Sequence, residues 1–151
     1  MRSRGVTFAM AALLVACRGN DLPPHATRFS PPEVYRTWWK MVEACSGLRG
    51  AFDDVHWYRA SVVELQEREG NGTLAYWEER GNRIVLSDNV VDFGRGVRHE
   101  MLHALVRQRG HPRELFAERC AGVVQCEEQC AARVALDSTG PRFIQETLTT
   151  A

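Results

Sequence analysis

One stretch constrains this chain more than any other: Val97-Arg98-His99-Glu100-Met101-Leu102-His103-Ala104-Leu105-Val106. It contains the pattern H-E-x-x-H. On a helix, His99 and His103 stand at i and i+4, so both imidazoles leave one face a turn apart. That separation suits two ligands of one tetrahedral zinc. Glu100 lies one residue on, rotated about 100° around the axis. It stands beside the metal without ligating it, where a general base for the metal's water belongs. Met101, Leu102, Leu105 and Val106 supply the apolar part of the same helix, so a metal face and a core face coexist. The plainer alternatives are a helix with two surface histidines and a purely structural zinc site. Structural sites favour four protein ligands and lean on cysteine.

A catalytic zinc keeps three protein ligands and one open position. After His103 the chain runs from Ala104 to Arg109 and then reads Gly110-His111-Pro112. Gly110 is expected in the left-handed conformation that ends a helix. Pro112 keeps His111 out of helical geometry. His111 therefore follows a chain reversal and can point back at the metal. Seven helical residues past His103 would carry the chain about 10 Å along the axis, so this placement requires the helix to end early. The rival ligand is a glutamate on the next element. Pro112 to Val124 reads helical, with Glu114 and Glu118 on one face. His111 is preferred to Glu118, and Glu118 to Glu114; for each glutamate the plain alternative is a solvated helix face.

His-Glu-Met-Leu-His-Ala, followed by Gly-His and then Phe116, resembles the zinc metallopeptidases of the zincin clan. It is most similar to the SprT-like pattern, in which a Gly-His after the motif helix gives the third ligand. Metzincins place their third histidine in the spacing H-E-x-x-H-x-x-G-x-x-H. Here the gap from His103 to His111 is longer and carries no midway glycine. The resemblance spans Val97 to Phe116. It implies His99 and His103 as ligands of a single catalytic Zn2+, Glu100 as base and His111 as third ligand. Gluzincins, by contrast, use a glutamate on the following helix, the role open to Glu118.

The preceding sequence supplies a scaffold. Ser30-Pro31-Pro32-Glu33 looks like a helix start, with Ser30 a cap candidate and proline tolerated in the first turn. Val34, Trp38, Met41, Val42 and Cys45 recur at helical spacing, predicting an amphipathic helix over 33–46 that Gly47 and Gly50 end. Val55 to Leu65 is rich in β-branched and aromatic residues and reads as a strand. Asn71-Gly72 marks a turn. Thr73 to Arg80 and Arg83 to Ser87 read as strands joined by the two-residue hairpin signal Gly81-Asn82. These elements predict an α+β, zincin-like fold: a small antiparallel sheet packed on an N-terminal helix and an H-E-x-x-H helix, then a C-terminal helix. In zincin-type peptidases an edge strand holds extended substrate by strand addition, and either hairpin strand can take that role here. Asp88, Asn89 and Asp92 are cap candidates for the motif helix. Gly94 and Gly96 either admit a close approach or delay the helix to about Val97. Trp38 and Trp39 read as packing residues, and His25 and His56 as ordinary loop and strand residues. Tyr76, Tyr58 and Arg113 are the candidates for an oxyanion donor.

The N-terminus carries Arg2 and Arg4, an apolar run from Val6 to Ala16, and then Cys17. A basic start and a short apolar run ending in small residues read as a signal peptide over 1–16. Leu14-Val15-Ala16-Cys17 resembles the bacterial lipobox, which implies cleavage before Cys17 and acyl anchoring through it. The alternative is an ordinary secretory signal. Either reading places the protein outside the cytoplasm, in the cell envelope. By resemblance to bacterial lipoproteins, Arg18 after the cysteine, rather than an aspartate, implies the outer membrane more than the inner. Residues 17–32, with Pro23, Pro24, Pro31 and Pro32, read as a tether. The catalytic domain is expected over 33–136, and 137–151 as a loose tail.

Lipidation of Cys17 leaves Cys45, Cys120, Cys126 and Cys130, an even number that in an exported domain implies two disulfides. Cys45–Cys120 is the favoured staple, with Cys126–Cys130 as a local clasp that needs a break in any helix there. A second, cysteine-rich zinc site is the alternative. At 151 residues the chain holds one domain with a core. A net charge of zero and a pI near 7.0 give no basis for a nucleic-acid partner. Lys40 is the only lysine, a bias towards arginine that fits a GC-rich genome. The resulting expectation is a monomeric, membrane-anchored zinc metallopeptidase acting on peptide or protein substrate. The alternatives are a non-catalytic zincin-like lipoprotein that binds a partner or zinc, and a hydrolase of amides in cell-wall peptide.

Overall fold

The computed structural model describes residues 22–70 and 72–126, and within them the order is β1 (Thr27–Arg28), α1 (Val34–Ser46), β2 (His56–Ala60), α2 (Val62–Glu69), β3 (Ala75–Glu78), β4 (Arg83–Ser87) and α3 (Gly94–Val106). A short 3-10 turn at Phe52–Asp54 and a π-helical turn at Glu114–Arg119 complete it. The signal peptide and lipidation reading at Cys17, the expected Cys126–Cys130 clasp at its Cys130 end and the tail all lie outside the described residues.

The unbroken run Ile84-Val85-Leu86 explains the centre of the molecule. All three residues are fully buried, because β4 is covered on both faces. Ile84 and Leu86 pack with Tyr35, Trp39, Val97, Met101 and Leu102 from α1 and α3. Val85 packs the other way, with Ala60, Leu65 and Tyr76 beneath α2. A strand buried on both faces reads as continuous hydrophobic sequence rather than alternation.

The fold is α+β with a four-stranded sheet in the order β1-β2-β4-β3. The expected antiparallel meander is corrected here: β2 and β4 run parallel, with His56 opposite Arg83 and Ala60 opposite Ser87. The cause is the stretch after Ala60, which turns into a helix instead of extending the strand to Leu65. The Ser61 hydroxyl accepts the Glu64 amide at 3.3 Å and the Glu64 carboxylate accepts the Ser61 amide at 3.1 Å, a reciprocal cap. α2 carries the chain across the sheet, as a parallel neighbour requires. β3 then returns antiparallel to β4 and forms the sheet's edge. Asn82, at φ 46°, makes the hairpin and ties it down, accepting from the Trp77 indole at 3.0 Å and donating to Asp54 O at 2.9 Å.

Three further expectations change. Of the expected tether over 17–32, the described part, 22–32, packs on the domain. Leu22 and Ala26 pack on the second cluster, β1 pairs with β2, and the Phe29 amide donates to Trp57 O at 3.1 Å. The buried stripe of α1 is Tyr35, Trp39, Val42 and Ser46, while Val34 and Met41 are exposed. Tyr35 wins the inward place because its hydroxyl donates to Val91 O and its ring packs on Trp57 at 5.0 Å. Neither Ser30 nor any other side chain caps α1. At its far end Gly47 takes φ 75°. A Cβ there would also come within 2.5 Å of the Arg119 guanidinium.

Cys45 and Cys120 are bridged, with Cα atoms 5.1 Å apart across 75 residues of sequence. The bond ties α1 to the end of the π-helical turn. Closing so long a loop restricts the unfolded chain by about 4 kcal/mol in the chain-entropy account. Cys126 is disulfide-bonded as well. Cys45→Ser is expected to lower the unfolding free energy by about 2–4 kcal/mol; equilibrium urea unfolding under non-reducing conditions, beside the wild type, measures it.

Candidate metal centre

α3 begins at Gly94, earlier than Val97, and no side chain caps it; Asp88, Asn89 and Asp92 do not serve. Gly94 admits a neighbouring helix: a Cβ there would meet Trp38 of α1 at 3.0 Å and the Arg98 guanidinium at 2.9 Å. Val97, Met101, Leu102 and Ala104 hold the helix to the core. His99, Glu100 and His103 are buried on the same helix but line an open cleft of about 640 Å³.

The helix stops at Val106, and the residue that reverses the chain is Arg107, at φ 62°. Gly110 does not take a positive φ, so the expected role of Gly110 passes to Arg107. The Arg107 amide closes the last turn on His103 O at 2.8 Å. A non-glycine residue in this conformation costs about 1–2 kcal/mol. Such strain persists where the surroundings require it. Here the early reversal lets His111 return to the metal face.

The three imidazoles meet nearly symmetrically. His99 Nε2 is 3.0 Å from His111 Nε2 and 3.1 Å from His103 Nε2, and the third edge of the triangle is 3.2 Å. Their other nitrogens fix the tautomers where partners are seen. His99 Nδ1 donates to Gln125 O, and His103 Nδ1 donates to Gln108 O at 2.8 Å. With Nδ1–H so committed, Nε2 carries a lone pair. Lone pairs facing one another repel unless a cation lies between them. Ideal tetrahedral ligands at about 2.0–2.1 Å from a metal are about 3.4 Å apart, so the triangle fits with small adjustment. The cluster could hold a metal ion.

Phe116 is the floor. Its fully buried ring stands 5.1, 4.7 and 4.9 Å from the rings of His99, His103 and His111. It is carried by the π-helical turn, where the Cys120 amide reaches back to Leu115 O at 3.0 Å. The expected longer helix from Pro112 to Val124 is therefore corrected to one wide turn. Such bulges recur at functional sites.

Glu118 lies apart from the triad. It pairs with Arg113 at 2.9 Å, with both side chains largely exposed. Glu114 is likewise exposed, 3.9 Å from Arg119. Of the oxyanion candidates, Arg113 is thus committed to Glu118, while Tyr58 packs against the cluster on the α2 face. Tyr76 touches the cleft but packs its ring with Leu65 and Val85; burial pushes its hydroxyl up to about 12.

Burial sets the electrostatics. Desolvation lowers His99 to about 4, against the pull of its hydrogen bond to Gln125. Desolvation lowers His103 to about 3, aided by the neighbouring His99. Both imidazoles are therefore neutral across the physiological range, the form in which a histidine can ligate a metal. Desolvation raises Glu100 to about 8, opposed by a hydrogen bond from the Trp77 amide and by Arg109. Arg109, the only cationic side chain among the described residues of the cleft wall, lies 3.9 Å from Glu69. Sequence reasoning missed Arg109, Trp77, Gln108 and Gln125. Three of these act through the main chain, which leaves no residue-type signal.

No protein-family model, curated protein or solved structure matches this chain.

The raised Glu100 carboxyl gives a stability prediction with a defined sign. A folded carboxyl near 8 against an unfolded value near 4.5 binds its proton more tightly when folded. Stability from this group is complete below pH 4.5 and is lost as pH rises through 8. In the metal-free chain, Glu100→Gln is expected to match the wild type at low pH. It should exceed the wild type by several kcal/mol above pH 8, the scale that about 1.4 kcal/mol per pH unit gives for a carboxyl raised from 4.5 to about 8. Urea midpoints measured with a chelator across that range test it.

Proposed function

We propose that this chain is a zinc-dependent metallopeptidase with a zincin-like site, hydrolysing peptide bonds in the bacterial cell envelope. The observation that carries the reading is the convergence of three imidazole Nε2 atoms within 3.0–3.2 Å, beside a buried carboxylate on an open cleft. Neutral imidazoles without thiolate suit zinc at a site left open to substrate. Bound zinc supplies a Lewis acid and lowers the pKa of water towards neutrality.

The chain's own residues supply the rest. Glu100 takes the proton from the attacking water and delivers it to the leaving amine. Its carboxyl, near 8 without metal, shifts towards the ionised form beside a cation. The Trp77 amide holds that carboxylate towards the edge of the sheet. β3 supports an extended substrate, because it is the edge strand beside α3, whereas β4 is interior. The Ser87 amide bonds Leu74 O at 2.8 Å, so by alternation Ala75 and Trp77 turn their main-chain groups outward. Trp77's amide already serves Glu100, which leaves Ala75 to pair with substrate. Arg109 lies near enough to lower both Glu100 and His103, and it is the cation placed to stabilise a developing oxyanion. The Cys45–Cys120 bridge supports an oxidising compartment. It agrees with export; lipid anchoring through Cys17 is proposed from the lipobox resemblance alone.

The test is zinc content and peptide cleavage by the full chain. One zinc per chain is expected in the wild type, in Glu100→Ala and in Glu118→Ala, but not in His111→Ala. Cleavage of a peptide library should fall at least about 100-fold in Glu100→Ala while zinc remains. Equal behaviour of Glu100→Ala and wild type in cleavage and partner binding would favour a non-catalytic zincin-like lipoprotein. Loss of zinc from Glu118→Ala alone would move the third ligand to that glutamate.

A further inference from the structure

The segment after the π-helical turn crosses the first turns of α3 and is gripped there by its main chain. Three successive carbonyls are taken by three side chains of the helix. Val123 O accepts from Arg98 Nε at 2.6 Å, Val124 O accepts from Arg95 Nη2 at 3.3 Å, and Gln125 O accepts from His99 Nδ1. The Gln125 amide answers by donating to Arg95 O at 3.2 Å. The segment is fixed at both ends, by buried Cys120 in its bridge to Cys45 and by buried Cys126 in another disulfide. Val124 between them is fully buried.

Arg98 is itself placed with care. Its guanidinium lies 5.7 Å from the Trp38 ring centroid. Gly94, one turn earlier, leaves the space that guanidinium and indole share, since a Cβ there would meet both. Burial disfavours the charge on Arg98, and Arg95 nearby disfavours it further. Two half-buried guanidiniums side by side are an expensive way to anchor a loop that two disulfides already hold. Their common effect falls on the Gln125 peptide, the group that sets the tautomer and orientation of His99.

We propose that Arg95 and Arg98 are positioning residues of the metal centre. They clamp the 123–125 main chain so that the Gln125 carbonyl holds His99 with Nδ1–H inward and its Nε2 lone pair at the metal. This rests on the metal-binding part of the proposed function, and not on catalysis. Groups bonded to a metal's ligands alter affinity by about 10–100-fold when lost. Arg95 and Arg98 act one step further out, through the main chain that carries the Gln125 carbonyl, so that range is the ceiling of their effect.

The experiment uses the full chain with its disulfides intact, titrated with zinc against a competing chelator. The variants are Arg98→Ala, Arg95→Ala, their double, and Arg98→Lys. Arg36→Ala, which removes ion pairs with Asp53 and Glu33 and a contact on the Phe52 ring, is the control. The zinc Kd is expected to rise about tenfold in Arg98→Ala and towards 100-fold in the double variant. Arg98→Lys should recover most of the loss, and the control should not move. The cobalt-substituted double variant should show an altered visible spectrum, because a ligand has turned. If the double variant folds poorly, 15N imidazole shifts of metal-free Arg98→Ala decide: the His99 Nδ1–H tautomer should give way to a mixture. An unchanged Kd and cobalt spectrum in the double variant, or an unchanged tautomer, would overturn the proposal. A wild type that takes up no metal would refute the metal reading, and this proposal with it.

Discussion

Three imidazole nitrogens face one another across 3.0–3.2 Å, and the local structure from Gly94 to Cys126 is arranged to keep them there. Acceptors so close repel unless a cation gathers them, so each ring must be held from behind. Two are held by main-chain carbonyls on Nδ1, and all three rest on Phe116. The third ring arrives only because α3 ends at Arg107 rather than running on to Gly110. Backbone strain at Arg107 is thus tied directly to the position of His111. The bulge that carries Phe116 and the strap that carries Gln125 follow in turn from the same demand.

The rest of the fold gives that cluster a rigid back wall and an open front. α3 is pinned through Val97, Met101 and Leu102 to a sheet whose central strand is buried on both faces. The α2 crossover pushes β3 to the edge beside the motif helix. The edge strand therefore also serves the cluster: the Trp77 amide reaches Glu100. The disulfide from Cys45 to Cys120 transmits the rigidity of α1 to the segment beyond the site. The same burial that lowers the histidines raises the carboxyl. Burial thus keeps the imidazoles neutral and, in the metal-free chain, the Glu100 carboxyl protonated towards pH 8.

Much of the centre was legible in the sequence, because side chains carried it. His99, Glu100 and His103 announce themselves by spacing; Gly-His-Pro points to a chain reversal before His111, but the reversal sits earlier, at Arg107. The favoured cysteine pair, Cys45 and Cys120, is also the bridged one. The failures share a cause. The strand expected to run to Leu65 overlooked the Ser61-Glu64 cap, a local signal that outweighs the β-branched residues around it. The parallel pairing followed from that helix and was missed with it. Val34, Trp38, Met41, Val42 and Cys45 mark the helical period of α1, but aromatic packing on Trp57 turns Tyr35 inward and leaves Val34 and Met41 exposed, while Val42 is buried. Main-chain partners such as Gln108, Gln125 and Trp77 have no signature, since any residue supplies a carbonyl or an amide.

The central claim is that His99, His103 and His111 share one metal. Zinc-edge X-ray absorption on the purified full chain tests it most directly. Three imidazole nitrogens and one oxygen, all at about 2.0–2.1 Å, are predicted. A shell containing sulfur near 2.3 Å, or fewer than three imidazoles, would place the metal elsewhere and contradict the account.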